Sequence, residues 1–165
     1  MCTLVVFAIL LTVDVQVEVG LPSWLAELNR RRSRLLMLCD MLEDIADSLP
    51  RHVTPALCRT VATTLKPELD RVCEIEAQFC FPYLTGLAEP HVSSETLCRM
   101  CREHEGDRAA ADEIPGTLTK LAHGRKDVNW DATGYMLRSF FVGVRRHVAN
   151  EQCMLGFIGT QASRH

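Results

Sequence analysis

The sequence predicts an all-α domain built as an up-down-up-down antiparallel four-helix bundle. Three observations point there. Four long stretches carry large apolar residues at steps of three and four, the spacing of one helix face. Their connections are short and marked by proline, glycine or serine. Each apolar stripe is interrupted near its middle by a polar residue: Arg32, then Glu76, then His104 with Arg108, then His147 with Glu151. An antiparallel bundle brings mid-helix positions to a common depth, so these groups are expected to meet.

The bulk properties fit one globular domain. The chain has 165 residues, 47% of them hydrophobic and 24% charged, enough for a core without staples. A net charge of −3 gives no nucleic-acid surface. The one basic cluster, Arg30, Arg31, Arg32 and Arg34, reads mostly as the solvated side of a helix. Eight cysteines are spread over the length, and Cys39, Cys80 and Cys153 read as small buried hydrophobes. A reduced, cytoplasmic protein is expected. Leu4 to Val13 is apolar but too short to span a bilayer, and it lacks the basic start of a secretory signal. Val13, Val15, Val17 and Val19 then alternate with polar residues in a strand-like pattern. Residues 1–22 are therefore set apart as an extension: a short strand, a disordered segment or sequence upstream of the true start.

The helices follow in order. Ser23 is the expected cap of a first helix that runs to about Ser48, with a seam of Leu25, Leu28, Arg32, Leu35, Cys39, Leu42, Ala46 and Leu49. Thr54-Pro55 is a second start signal. The second helical region reaches about Thr85, with a kink or break expected at Pro67 and a seam of Leu69, Val72, Glu76, Phe79 and Tyr83 beyond it. Ser93 or Ser94 opens a third helix carrying Leu97, Cys101, His104 and Arg108 on one stripe, interrupted near Pro115 and ended by His123-Gly124. The fourth runs from about Val128 to Ile158, with a seam of Leu137, Phe140, Val144, His147, Glu151, Met154 and Ile158. The bundle thus spans 23–158, and 159–165 is a polar tail.

The polar interruptions carry the chemistry. His147 and Glu151, at i and i+4, lie one above the other, the spacing by which a helix offers two ligands to one cation. A histidine on an apolar face is more often a satisfied core residue, so the weight rests on Glu76 and His104 arriving at the same depth. Arg32 has two readings: its stem covers the core while its head reaches water, or it has an interior partner. Cys98-x2-Cys101-x2-His104 has the residue types of a zinc site. Three residues on one helix do not wrap a tetrahedral ion, however, and no second close pair is present.

Several motifs together resemble the hemerythrin-like family of HHE cation-binding domains, over roughly 23–158. They are Glu76 followed by Phe81-Pro82, Glu103-His104 with Asp107-Arg108, His147-x3-Glu151, and the first-helix stretch LLMLCDMLEDIADSLP. The resemblance implies a non-haem di-iron centre with one histidine from the first helix, His-x3-Glu from the second, one histidine from the third and His-x3-Glu from the fourth. In this chain the first-helix histidine falls at Arg32 and the second-helix histidine at Val72, four before Glu76. The retained metal ligands are Glu76, His104, His147 and Glu151. The two missing ligands belong to the same iron, so a full di-iron centre is not expected. A single iron or other divalent transition metal is, with Arg32 and Arg108 as candidates for charge compensation.

The expected function is therefore cation binding through an incomplete di-iron site holding at most one metal ion. Its use is expected in iron, oxygen or redox response rather than oxygen carriage. The alternative is a metal-free helical interaction or signalling module, with an internal Arg/Glu network in place of the metal. An oxidase- or peroxidase-like enzyme is a third class, but nothing in the sequence identifies a substrate pocket, and no catalytic residue is assigned. The expected partners are a metal ion and an unidentified protein, with neither nucleic acid nor membrane. Cys73 and Cys101, near the ligand positions, are expected to be inert thiols.

Overall fold

A computed structural model describes residues 22–87, 94–125 and 127–162; the 1–21 segment, including its strand-like alternation, lies outside the described residues. The elements are α1 (Ser23–Ser48), α2 (Pro55–Ile75), a π-helical turn (Glu76–Cys80), α3 (Phe81–Leu87), α4 (Ser94–Ala122) and α5 (Trp130–Ala162). Among the described residues there is no strand, and no helix is long and apolar enough to cross a membrane.

α2, the π turn and α3 follow without a gap and make one rod, so the bundle has four. Each rod packs on its neighbours in sequence, and the last returns to the first. Cross-rod pairs show every neighbour to be antiparallel. Along α1, Trp24 meets Tyr83 while Arg31 meets Glu68. Along the second rod, Lys66 pairs with Asp112 and Glu76 with His104, both on α4. Between α1 and α5, Asp47 takes Arg138 and Asp40 takes Arg145. The stripes supply the core: Leu28, Leu35 and Leu42 of α1, Val61, Leu65 and Leu69 of α2, Ile114 and Leu118 of α4, and Leu137, Phe140 and Val144 of α5 are all buried.

Local signals place the ends. Gly124, at φ 65°, closes α4: its N–H donates to the Leu121 carbonyl and the Arg125 N–H to Lys120, which satisfies two terminal carbonyls. Asn129, which sequence reading passed over, caps α5 by accepting from the Ala132 N–H at 3.0 Å. Ser23 is not a cap but the first helical residue, with Pro22 before it. α5 runs past Ile158 to Ala162.

Three expectations about continuity and register are corrected. Pro67 and Pro115 sit inside unbroken helices. Buried residues on both sides, Leu65 with Leu69 and Ile114 with Leu118, hold the helix across each proline. The carbonyl that Pro67 leaves without a donor belongs to Thr63, an exposed residue open to water. The second rod's seam does not run through Phe79 and Tyr83. The π turn inserts one residue, so Cys80 and Leu84 are fully buried while Phe79 is 39% exposed. Phe79 and Tyr83 instead pack against Trp24 at the start of α1. On α4 the buried face is Met100, His104, Ala111, Ile114, Leu118 and Leu121, while Cys101 and Arg108 are exposed. Cys153 is exposed as well, two residues and so about 200° of helical rotation beyond the buried Glu151.

Candidate metal centre

Five polar side chains are enclosed where the four rods meet. Arg32 comes from the middle of α1, between the buried Leu28 and Leu35, and Glu76 from the first position of the π turn. His104 comes from α4, and His147 and Glu151 from successive turns of α5. Their exposures are 1%, 0%, 7%, 5% and 0% in that order, so water cannot compensate their charges. The reading of Arg32 as a side chain reaching solvent is thereby excluded.

The hydrogen bonds divide each carboxylate in two. Arg32 donates from Nε and Nη2 to Glu76 Oε1 at 3.0 and 2.8 Å, and its Nη2 also donates to Glu151 Oε2. The other oxygens, Glu76 Oε2 and Glu151 Oε1, are buried and accept no hydrogen bond. They face the imidazoles: Glu76 Oε2 lies 3.0 Å from His104 Nε2, and Glu151 Oε1 lies 3.4 Å from His147 Nε2. The two Nε2 atoms are 2.8 Å apart. One donor atom from each of Glu76, His104, His147 and Glu151 can be chosen so that all four lie within 4.8 Å of one another.

Two neighbours orient the imidazoles. Glu103 Oε2 accepts from His147 Nδ1 at 3.1 Å, which keeps a proton on Nδ1 and turns Nε2 toward the centre. The Phe81 ring stacks on His104 with centroids 5.4 Å apart. In the sequence Glu103 and Phe81 stand out only as members of the Glu103-His104 and Phe81-Pro82 motifs. The role of Glu103 depends on how α4 faces α5, which one helix's periodicity does not contain.

One guanidinium serves two carboxylates, and the electrostatics reflect the shortfall. Burial works against an ionised Glu76, but His104 and Arg32 beside it hold its carboxyl below the usual range. Burial and the adjacent Glu76 charge push Glu151 up. Burial alone would lower His147, yet Glu151 and Glu103 lift it to about 9. The Glu151–His147 pair therefore retains an extra proton when no other cation is present. Burial likewise drives the thiols of Cys73 and Cys80 up to about 12, so the cysteines nearest the centre are neutral hydrophobes.

The donor set fits one cation. Two imidazole nitrogens and two carboxylate oxygens suit iron(II), manganese or zinc, and the two orphaned oxygens are the buried acceptors that a cation would satisfy. The residues do not fit a second. Val72 is a buried hydrocarbon with no donor atom, and Arg32 is a cation already paired with both carboxylates. Among the described residues no other group of His, Cys, Asp and Glu converges in this way. Arg108, expected to compensate one of the carboxylates, lies instead on the surface, 3.5 Å from Asp70. It sits four residues past His104, but α4 turns its buried face toward Ala111.

Comparison with curated proteins and with solved structures returns no match. The hemerythrin HHE cation binding domain matches over residues 26–155, most of the chain and all five central side chains. The chain belongs to the hemerythrin family of HHE cation-binding domains.

Proposed function

We propose that this domain binds one divalent transition metal ion through Glu76, His104, His147 and Glu151, with Arg32 standing where a second cation would otherwise be needed. The observation that carries this reading is the pair of buried, unbonded oxygens, Glu76 Oε2 and Glu151 Oε1, which face two imidazole nitrogens. A polar atom left without a partner in a core is destabilising unless something accepts or supplies the missing contact. A bound ion supplies Lewis acidity and, for iron, a redox couple. The chain's own residues orient it: Arg32 fixes the two carboxylates, Glu103 fixes His147, and Phe81 covers His104.

With one cation position in place of two, the domain serves iron, oxygen or redox response rather than oxygen carriage, and it is not an enzyme. The seven described cysteines are free thiols, which supports a reducing, cytoplasmic setting. A second reading draws on the same guanidinium. Arg32 already reaches both carboxylates, and in this reading it replaces the metal altogether and the bundle acts as an interaction module. Elemental analysis of protein purified from iron-supplemented cells separates the two readings. The metal-binding reading expects about one equivalent of a transition metal per chain, and a melting temperature that rises when the metal is restored after chelation. Metal near zero with no thermal response would leave the interaction module.

A further inference from the structure

We propose that Arg32 makes the centre selective for a single divalent cation and sets it against trivalent ions. The inference rests on the metal-binding reading above and adds to it a charge rule. The guanidinium keeps its proton under all physiological conditions. It is enclosed by the two carboxylates it serves, and it cannot swing away without stranding both.

Counting formal charge inward gives the rule. Arg32 contributes +1, and Glu76 and Glu151 contribute −2. Glu103, behind His147, brings the net charge to −2. A divalent ion brings it to zero. A trivalent ion leaves +1, and a second divalent ion leaves +2, in a place where the donor residues are at most 7% exposed. Uncompensated charge is strongly disfavoured there. Asp107 is the further acid near both imidazoles, but Arg146 lies within electrostatic reach of it, so the two together leave the formal count unchanged.

Ligand strength points the same way. A highly charged ion needs strong anionic oxygen donors, yet each carboxylate already gives one oxygen to Arg32 and has one left. The remaining donors are neutral nitrogens. The centre therefore offers two partly neutralised carboxylates and two imidazoles, a set for iron(II), manganese or zinc rather than for their trivalent counterparts.

The experiment uses the full chain, freed of metal by chelation, with zinc(II), manganese(II) and gallium(III) supplied as their nitrilotriacetate complexes. Bound metal is read by elemental analysis after buffer exchange. Wild type is expected to take one equivalent of zinc or manganese. Arg32→Gln should raise the gallium-to-zinc affinity ratio by roughly 100- to 1,000-fold, the factor for removing one unit charge about 4–6 Å away at an effective permittivity of about 20. Arg32→Lys, which keeps the charge, should leave the ratio where it was. Should Arg32→Gln fail to fold, wild type loaded with iron(II) under argon and then exposed to air should still show ferrous iron by Mössbauer spectroscopy. A ratio unmoved by Arg32→Gln, two equivalents of divalent metal in wild type, or ferric iron at full occupancy would overturn the charge rule and leave metal binding standing. Failure of every ion to bind would instead remove the metal-binding reading on which it rests.

Discussion

At Arg32 a permanent cation is enclosed with two carboxylates, and each partner depends on the others. Arg32→Ala leaves Glu76 and Glu151 buried beside each other without it, so the metal-free protein is expected to lose about 3–5 kcal/mol in denaturant unfolding. A loss within ~0.5 kcal/mol, the scale of an ordinary surface substitution, would contradict the enclosed arrangement. His147 makes the pH behaviour explicit. Its imidazole is lifted in the folded chain from 6.5 to about 9. That contribution to stability is fully present below about 6.5 and is lost as pH rises through about 9. Melting temperature of the metal-free protein should therefore fall across this window, in excess of the fall seen in His147→Ala. A cation must displace the same proton, so metal affinity should rise with pH over the same range, by up to about tenfold per pH unit for one proton released. Titration calorimetry giving a flat affinity would sink that link. Glu103, through its bond to His147 Nδ1, has a separable effect: Glu103→Gln should weaken metal binding by about 10–100-fold while the fold persists.

The π turn decides which side chains of the second rod face inward. It takes one residue more than an α-helix would, so the buried positions run Leu69, Val72, Glu76, Cys80 and Leu84. Leu84→Ala should cost about 2–5 kcal/mol, as expected for a fully buried leucine. Tyr83→Ala, on the partly open side, should cost less. The reverse order in urea titrations would mean that the seam had been placed on the wrong residues. This element also marks where sequence reading loses accuracy. A periodicity argument assumes 3.6 residues per turn throughout, and it carried the seam through Glu76 onto Phe79 and Tyr83. The α4 stripe failed differently, because His104 belongs to two sets of positions at helical spacing. One runs through Cys101 and Arg108, the other through Met100 and Ala111. Only the apolar residues beyond Ala111 select the second.

For the whole molecule, the four rods and their sequential neighbours were legible because each stripe is long and each joint carries proline, glycine or serine. The central residues were legible for a related reason. A charged or imidazole side chain on an otherwise apolar face stands out, and antiparallel packing brings such interruptions together, as it does Arg32, Glu76, His104, His147 and Glu151. What the sequence did not contain is the sharing of each carboxylate, with one oxygen toward a guanidinium and the other toward imidazoles. That depends on side-chain directions set by all four rods at once. X-ray absorption at the metal edge of protein loaded with iron(II) under argon tests this centre most directly. The account predicts one metal per chain in a shell of nitrogen and oxygen donors, with two imidazoles and no metal–metal distance. A metal–metal vector, or a shell without imidazole scattering, would contradict it.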